Sequence, residues 1–425
     1  MSNWARKGMI GHSWEMIFFI MPSQNQYMYI MRNYKPLIVV GAVIIAGIVF
    51  YATRPSNRIT IELASRNKQV TSMPDSIALK VYVENSGSMD AYMCAGSELK
   101  DAVFDYISDL KPNVRFVELN YINSSVIPYH GNLDSYIKNL TPVSFAKAGG
   151  NRSNTDLRHI FQTLLKRHDS NSVSILVSDC ILDIDNHSTD YFGNCQVSLK
   201  NTFSEALHRM PNLGVEIVKL ESRFSGYWFC GSNKQKLSNV KRPYYIWIIG
   251  DANVLAKINK VAPITDVIHG IKEYCAFSPV TQFAYNVDKT RYVVPHNDRI
   301  SVNLFANLDA SLQNDAVLTR VLSYSVNNPG KVKIRTVARI SAEDSQYSHV
   351  IMTEINQPRE LSHVELNFHY PSVPSWVEVS NDDFGQNVTK NLDKTTGLKY
   401  LVKGVAEAYK DYSVSRGIAF NLKNK

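Results

Sequence analysis

Ile77-Ala78-Leu79-Lys80-Val81-Tyr82-Val83-Glu84-Asn85-Ser86-Gly87-Ser88-Met89 is the stretch on which the reading of this chain turns. Its first seven residues alternate around apolar positions and predict a buried strand. A polar turn and then a helical pattern follow. One carboxylate and two hydroxyls therefore fall on a tight loop at the C-terminal end of a strand, the place where open α/β sheets bind ligands. Carboxylate, hydroxyl and carbonyl oxygens suit hard cations such as magnesium, manganese or calcium.

Outward from that stretch, strand and helix patterns alternate, as a doubly wound α/β fold requires. Ser97–Leu110 predicts a helix, with Leu99, Val103, Phe104, Ile107 and Leu110 on one side. Val114–Ile122 and Val173–Val177 predict strands, and Thr155–Arg167 and Val197–Met210 predict helices. Val215–Leu220 is another strand. The run Pro243-Tyr244-Tyr245-Ile246-Trp247-Ile248-Ile249-Gly250 reads as a strand buried on both faces.

Glu84-x-Ser86-Gly87-Ser88-Met89 resembles the metal-site signature of von Willebrand factor A domains, Asp-x-Ser-Gly-Ser-Met. Those domains add a Thr from a second loop and an Asp at the end of a later strand. Thr155, ahead of a predicted helix, and Asp179, at the end of Val173–Ser178, stand in those places. The three segments occur in the family's order and at about its spacing, over roughly residues 74–290. The resemblance implies a metal set of Glu84, Ser86, Ser88, Thr155 and Asp179, occupied by Mg2+, Mn2+ or Ca2+. It also implies a protein partner that offers a carboxylate to the ion's open coordination position. One residue departs from the pattern: Glu84 replaces Asp and reaches roughly 1.5 Å further from the backbone. Glu84 either binds the ion directly in place of a water or crowds it out; in the second case the domain is a scaffold with a degenerate site. A metal-dependent hydrolase is the third reading, and it lacks a general base beside the motif.

From about residue 290 the period changes to two, in Ile300-x-Val302-x-Leu304, Val332-x-Ile334 and Val364-x-Leu366-x-Phe368. This predicts a small antiparallel, sandwich-like module. A helix over Thr395–Tyr412 and a last strand near Gly417–Leu422 follow. Residues 37–52 carry no charge, and Tyr34 with Lys35 and Tyr51 with Arg54 flank them. Sixteen helical residues span about 24 Å, which flanking Tyr and basic residues extend to bilayer thickness. A signal peptide is the rival reading, but Phe50-Tyr51-Ala52 makes a poor cleavage site. The expected organisation is an N-terminal segment at 1–36, with Met31 as a natural start, and a transmembrane anchor at 37–53. A polar tether at 54–73, the von Willebrand factor A-like domain at 74–290 and the β-rich domain at 291–425 complete it. The body is expected outside the cytoplasm, although the basic residues around the anchor also allow the opposite topology.

The chain has 425 residues, 44% of them hydrophobic and 20% charged, with a net charge of +8. These values describe a globular protein without a nucleic-acid module, and no enzyme constellation of His, Ser, Cys and Asp is apparent. Five cysteines show no metal-type spacing. Cys195 and Cys230 lie in polar sequence and are candidates for a disulfide in an oxidising compartment.

Overall fold

Seven strands build the central sheet, and the motif strand lies in its middle. In chain order they are β1 (Ala78–Glu84), β2 (Phe116–Ile122), β3 (Val126–Pro128), β4 (Ser172–Ser178), β5 (Leu213–Cys230), β6 (Asn233–Asp251) and β7 (Glu273–Phe277). The spatial order is β3-β2-β1-β4-β6-β5-β7. The computed structural model describes residues 58–64, 77–152, 156–182, 189–230, 233–279, 285–287, 292–341, 347–369, 372–412 and 418–424. Arg58–Asn424 form one compact unit. The expected anchor and the segment before it lie outside the described residues, as does Thr155. No helix among the described residues is long and apolar enough to cross a membrane.

β1 pairs in parallel with both β2 and β4. The chain leaves β1 through α1 (Glu98–Leu110) towards β2, then returns through α2 (Leu157–Arg167) to β4 on the other side. Right-handed crossovers in opposite directions put α1 and α2 on opposite faces of the sheet. All seven residues of β4 are accordingly buried, as strands covered on both faces must be. The protein is therefore of mixed α/β class with several sheets, and β2, β1 and β4 of the central one run parallel.

The other half differs from the expectation. β6 runs antiparallel to β4, and β5 and β7 are antiparallel to their neighbours. Val215–Leu220 and Pro243–Gly250 are read above as two separate buried strands. They are the inner ends of one long hairpin, whose outer half, Glu221–Arg242, has no counterpart in the sequence reading. The apolar runs stand out because they are buried on both faces, whereas the outer half is buried on one.

The expected boundary at residue 290 divides the chain differently from its packing. A second core lies between a five-stranded and a four-stranded antiparallel sheet. Most of it comes from Tyr285–Phe368, with Ile300, Val302, Leu304, Ile351, Ile355, Val364 and Leu366 directed inward. Ile59–Leu63, inside the expected tether, is a strand of this sandwich. It pairs antiparallel with the last strand, Ile418–Asn424, from Ile59↔Asn424 to Leu63↔Phe420. Ile-Thr-Ile-Glu-Leu alternates, and Ile59 and Ile61 are buried. The helix α4 (Leu398–Tyr412) belongs instead to the first core, where it packs along α3 (Thr189–Arg209). At Gly404 a Cβ would come within 2.5 Å of the Gln196 carbonyl, so the glycine permits the close approach of the two helices. Phe192 stacks on Tyr400 at 4.8 Å, and Gln196 donates to Glu407 at 2.6 Å.

Candidate metal site at the switch point of the sheet

The loops after β1 and β4 are neighbours, because those strands pair side by side and their onward connections diverge. This is the topological switch point, where a crevice forms outside the carboxyl ends of the strands. Four of the five sequence-predicted ligands, Glu84, Ser86, Ser88 and Asp179, lie on these two loops. The fifth, Thr155, is outside the described residues, although the segments on either side of it are placed.

Glu84 is the last residue of β1 and is 4% exposed; Asp179 follows β4 and is 2% exposed. Ser178, one residue beyond the Val83↔Val177 pair, immediately precedes Asp179 and reaches Glu84. Its hydroxyl donates to Glu84 Oε2 and accepts from the Cys180 amide at 2.8 Å. The Asp179 Oδ1 accepts from the Ile181 amide at 3.2 Å. Cys180 takes a positive φ of 55°, which turns the chain sharply after the acid. Burial, helped by the negative charge of Asp179, pushes the Glu84 carboxyl up to about 8, against hydrogen bonds from Ser178 and Ser86. The hydroxyls of Ser86 and Ser88 lie 3.0 Å apart. Ser88 opens a short 3-10 turn, Ser88–Tyr92, that carries the chain away from the crevice.

Three residues essential to this geometry escape the sequence reading. Ser178 is one. Arg152 is the second: its Nε donates to Asn85 Oδ1 at 2.7 Å, and its Nη2 donates to the Ser86 carbonyl at 3.2 Å and pairs with Asp90. Asn123 is the third. Its Nδ2 donates to the Gly149 carbonyl at 2.8 Å and to that of Asn85 at 3.4 Å. Asn123 thus ties the 149–152 loop to the motif loop. Gly150 sits at φ +72°, and a Cβ there would lie 2.1 Å from Asn123 Oδ1, so this position requires glycine. No short-range pattern marks Arg152 or Asn123, since the partners that place them here are 26 to 67 residues away. Gly149-Gly150 was the one available signal, a pair of glycines between a strand and a helix.

The arrangement fits a hard cation. Two buried acids lie at the ends of paired strands, Glu84 forms no ion pair among the described residues, and the Ser86 and Ser88 hydroxyls lie close by. Among the described residues no three His, Cys, Asp or Glu side chains converge as an all-protein cage. An ion here would rely on hydroxyls and water for much of its shell, as magnesium does.

The remaining cysteines play no part in the site. No disulfide links the five. Cys195 and Cys230 are buried, on α3 and at the end of β5, rather than on the polar loops that would let them pair. The Cys180 thiol accepts from the Trp247 indole at 3.2 Å.

Compared with protein-family models, curated proteins and solved structures, the chain matches none.

Proposed function

We propose that residues 74–290 are a von Willebrand factor A-like module and that Glu84, Ser86, Ser88, Thr155 and Asp179 hold a divalent hard cation, Mg2+, Mn2+ or Ca2+. In this reading the module binds a protein partner and performs no catalysis. Residues 37–52 anchor it in a membrane, with the body outside the cytoplasm. The observation that carries the reading is that two buried acids, Glu84 and Asp179, sit at neighbouring strand ends, with Ser178 donating to Glu84 and the Ser86 and Ser88 hydroxyls close by. Two buried acids at neighbouring strand ends repel when both are ionised, a cost that a bound cation offsets. When bound, the ion supplies positive charge and an open coordination position for a partner's carboxylate. The protein's own residues set its place: Ser178 orients Glu84, the Ile181 amide orients Asp179, and Asn123 and Arg152 hold the motif loop.

Arg152 favours a second reading, a scaffold without an ion. Its guanidinium already supplies a positive charge to the motif loop, at the Ser86 carbonyl and Asp90. Titration calorimetry and melting curves in magnesium, manganese, calcium and chelator separate the two. The metal reading expects one dominant site, lost in Ser86→Ala. A ligand at a hundred times its dissociation constant adds roughly 2.7 kcal/mol of stability. No heat of binding and equal melting temperatures in metal and chelator would leave the scaffold.

A further inference from the structure

Beyond Leu220 and Tyr244 the β5–β6 hairpin has left its sheet neighbours behind. β7 pairs only with Val215–Lys219, and β4 only with Tyr245–Ile249. The two faces of this overhang have different fates. One is packed: Phe224 meets Tyr92 edge-on at 4.9 Å, and Gly226 lies so close to Ala91 that a Cβ would come within 2.7 Å of it. Trp228 and Cys230 are buried on the same side.

The other face is basic and aromatic. Its register pairs Arg223 with Lys241, Tyr227 with Lys236 and Phe229 with Lys234. Arg223, Lys234, Lys236 and Lys241 are exposed, and Tyr227 is 46% exposed. From Ser222 to Pro243 the sequence contains no Asp or Glu. Among the described residues only Lys241 of these cations forms an ion pair, with Glu98. Lys234 Nζ sits 4.2 Å from the Tyr227 ring centre and 5.4 Å from that of Phe229, so the rings hold the ammonium at the surface. The face is continuous with the motif loop, since the Phe229 ring lies 3.9 Å from the position of a Cβ on Gly87.

We propose that this face of the hairpin docks an acidic segment of the protein partner, beside the candidate metal site. The inference rests on the metal-dependent reading for the neighbouring contact and on the hairpin's own charge for the rest. One ligand chemistry, the carboxylate, satisfies both surfaces: the exposed cations of the hairpin and a hard ion in the adjoining crevice. Tyr227 and Phe229 supply flat apolar area between the charges, the residue types that anchor interfaces. Charges of this kind act mainly on association rate and salt dependence.

The test uses the full chain in phosphatidylcholine nanodiscs, with a labelled oligo-glutamate peptide and its oligo-glutamine counterpart followed by fluorescence anisotropy. The acidic peptide is expected to bind and the neutral one not to, with affinity falling as salt rises through the Debye range. Lys234→Glu with Lys236→Glu is expected to weaken the acidic peptide roughly tenfold or more. Tyr227→Ala, which leaves the charge intact, is expected to weaken it less. Calorimetric metal binding should stay unchanged in both variants, which also reports that they are folded. Equal binding of the two peptides, or an unchanged affinity after charge reversal, overturns the proposal. Phosphatidylserine vesicles that bind tighter than the peptide and lose their binding on the same charge reversal also overturn it, by assigning the face to a membrane. If hairpin variants weaken the peptide but chelator does not, the hairpin's role stands and the metal reading fails.

Discussion

Glu216 offers a sharp test of whether burial in the antiparallel half of the sheet is as described. It lies in β5, fully buried, and its Oε1 receives Asn259 Nδ2 and the Tyr274 hydroxyl, each at 2.7 Å. The same hydroxyl is 2.9 Å from the Leu312 carbonyl, and it has only one proton to give. A protonated Glu216 resolves the conflict: it donates to Tyr274, which donates to Leu312. Burial raises the carboxyl from its ordinary 4.5 to about 7, against the hydrogen bonds from Tyr274 and Asn259. The folded state therefore holds a proton that the unfolded state releases between these values. Stability is fully present below about pH 4.5 and falls as pH rises towards 7. The total loss is about 3 kcal/mol. Glu216→Gln removes this slope but places an amide NH2 where Oε2 has no partner among the described residues, which costs about 1–2 kcal/mol. The substitution should thus destabilise by about that amount at pH 5 and stabilise by a similar amount at pH 8.5. Urea denaturation of wild type and variant at both pH values measures it, because the difference between the two isolates this one group. A difference of the same sign and size at both pH values would refute the burial and the proton assignment together.

Three further outcomes follow from the geometry. A chain beginning at residue 65 lacks Ile59 and Ile61, both buried, and should lose about 4 kcal/mol in apolar burial relative to one beginning at residue 54; equal urea midpoints would show that the strand does not support the sandwich. Gly150→Ala meets both the positive φ and Asn123, and should cost about 2–4 kcal/mol and shrink the metal-induced rise in melting temperature; an unchanged melting curve would contradict the loop geometry. Glu84→Asp should keep the calorimetric metal response and Glu84→Ala should weaken it, and the reverse order would remove Glu84 from the ligand set.

The parts of the fold that were legible are those whose physics is local. Ala78–Val83 and Ser172–Ser178 are buried on both faces, so their apolar runs announce them, and the loop residues that follow inherit a defined place at the strand ends. Helix periodicity placed α1 and α2 for the same reason. Allegiance is a different matter. Leu398, Leu401, Val402 and Val405 show an apolar stripe but not which core it covers; sequence order suggests the β-rich module, whereas α4 buries the stripe in the first core. Ile59–Leu63 is too short to stand out of a polar stretch until its partner, 360 residues later, is known. The outer hairpin had one usable sign, Gly231-Ser232 between two alternating runs, a two-residue hairpin signal. Ser178 was hidden because a serine at a strand end has many ordinary roles. Arg152 was hidden because its partners, Asn85, Ser86 and Asp90, are joined to it only through the sheet.

The pairing of Ile59–Leu63 with Ile418–Asn424 also bears on how the body would carry a load. Ile59 sits between Asn424 on one side and Val293 on the other. Tension drawn through the amino end therefore arrives first at a five-residue strand, before it reaches either β1 or the motif loop. Antiparallel strands pulled from one end part bond by bond, whereas strands pulled lengthwise must break their bonds together. Traction perpendicular to the strand would have to part Ile59 from a neighbour on each side. A partner tugging on the crevice would thus load an interior strand of the sandwich as well as the residues that grip it.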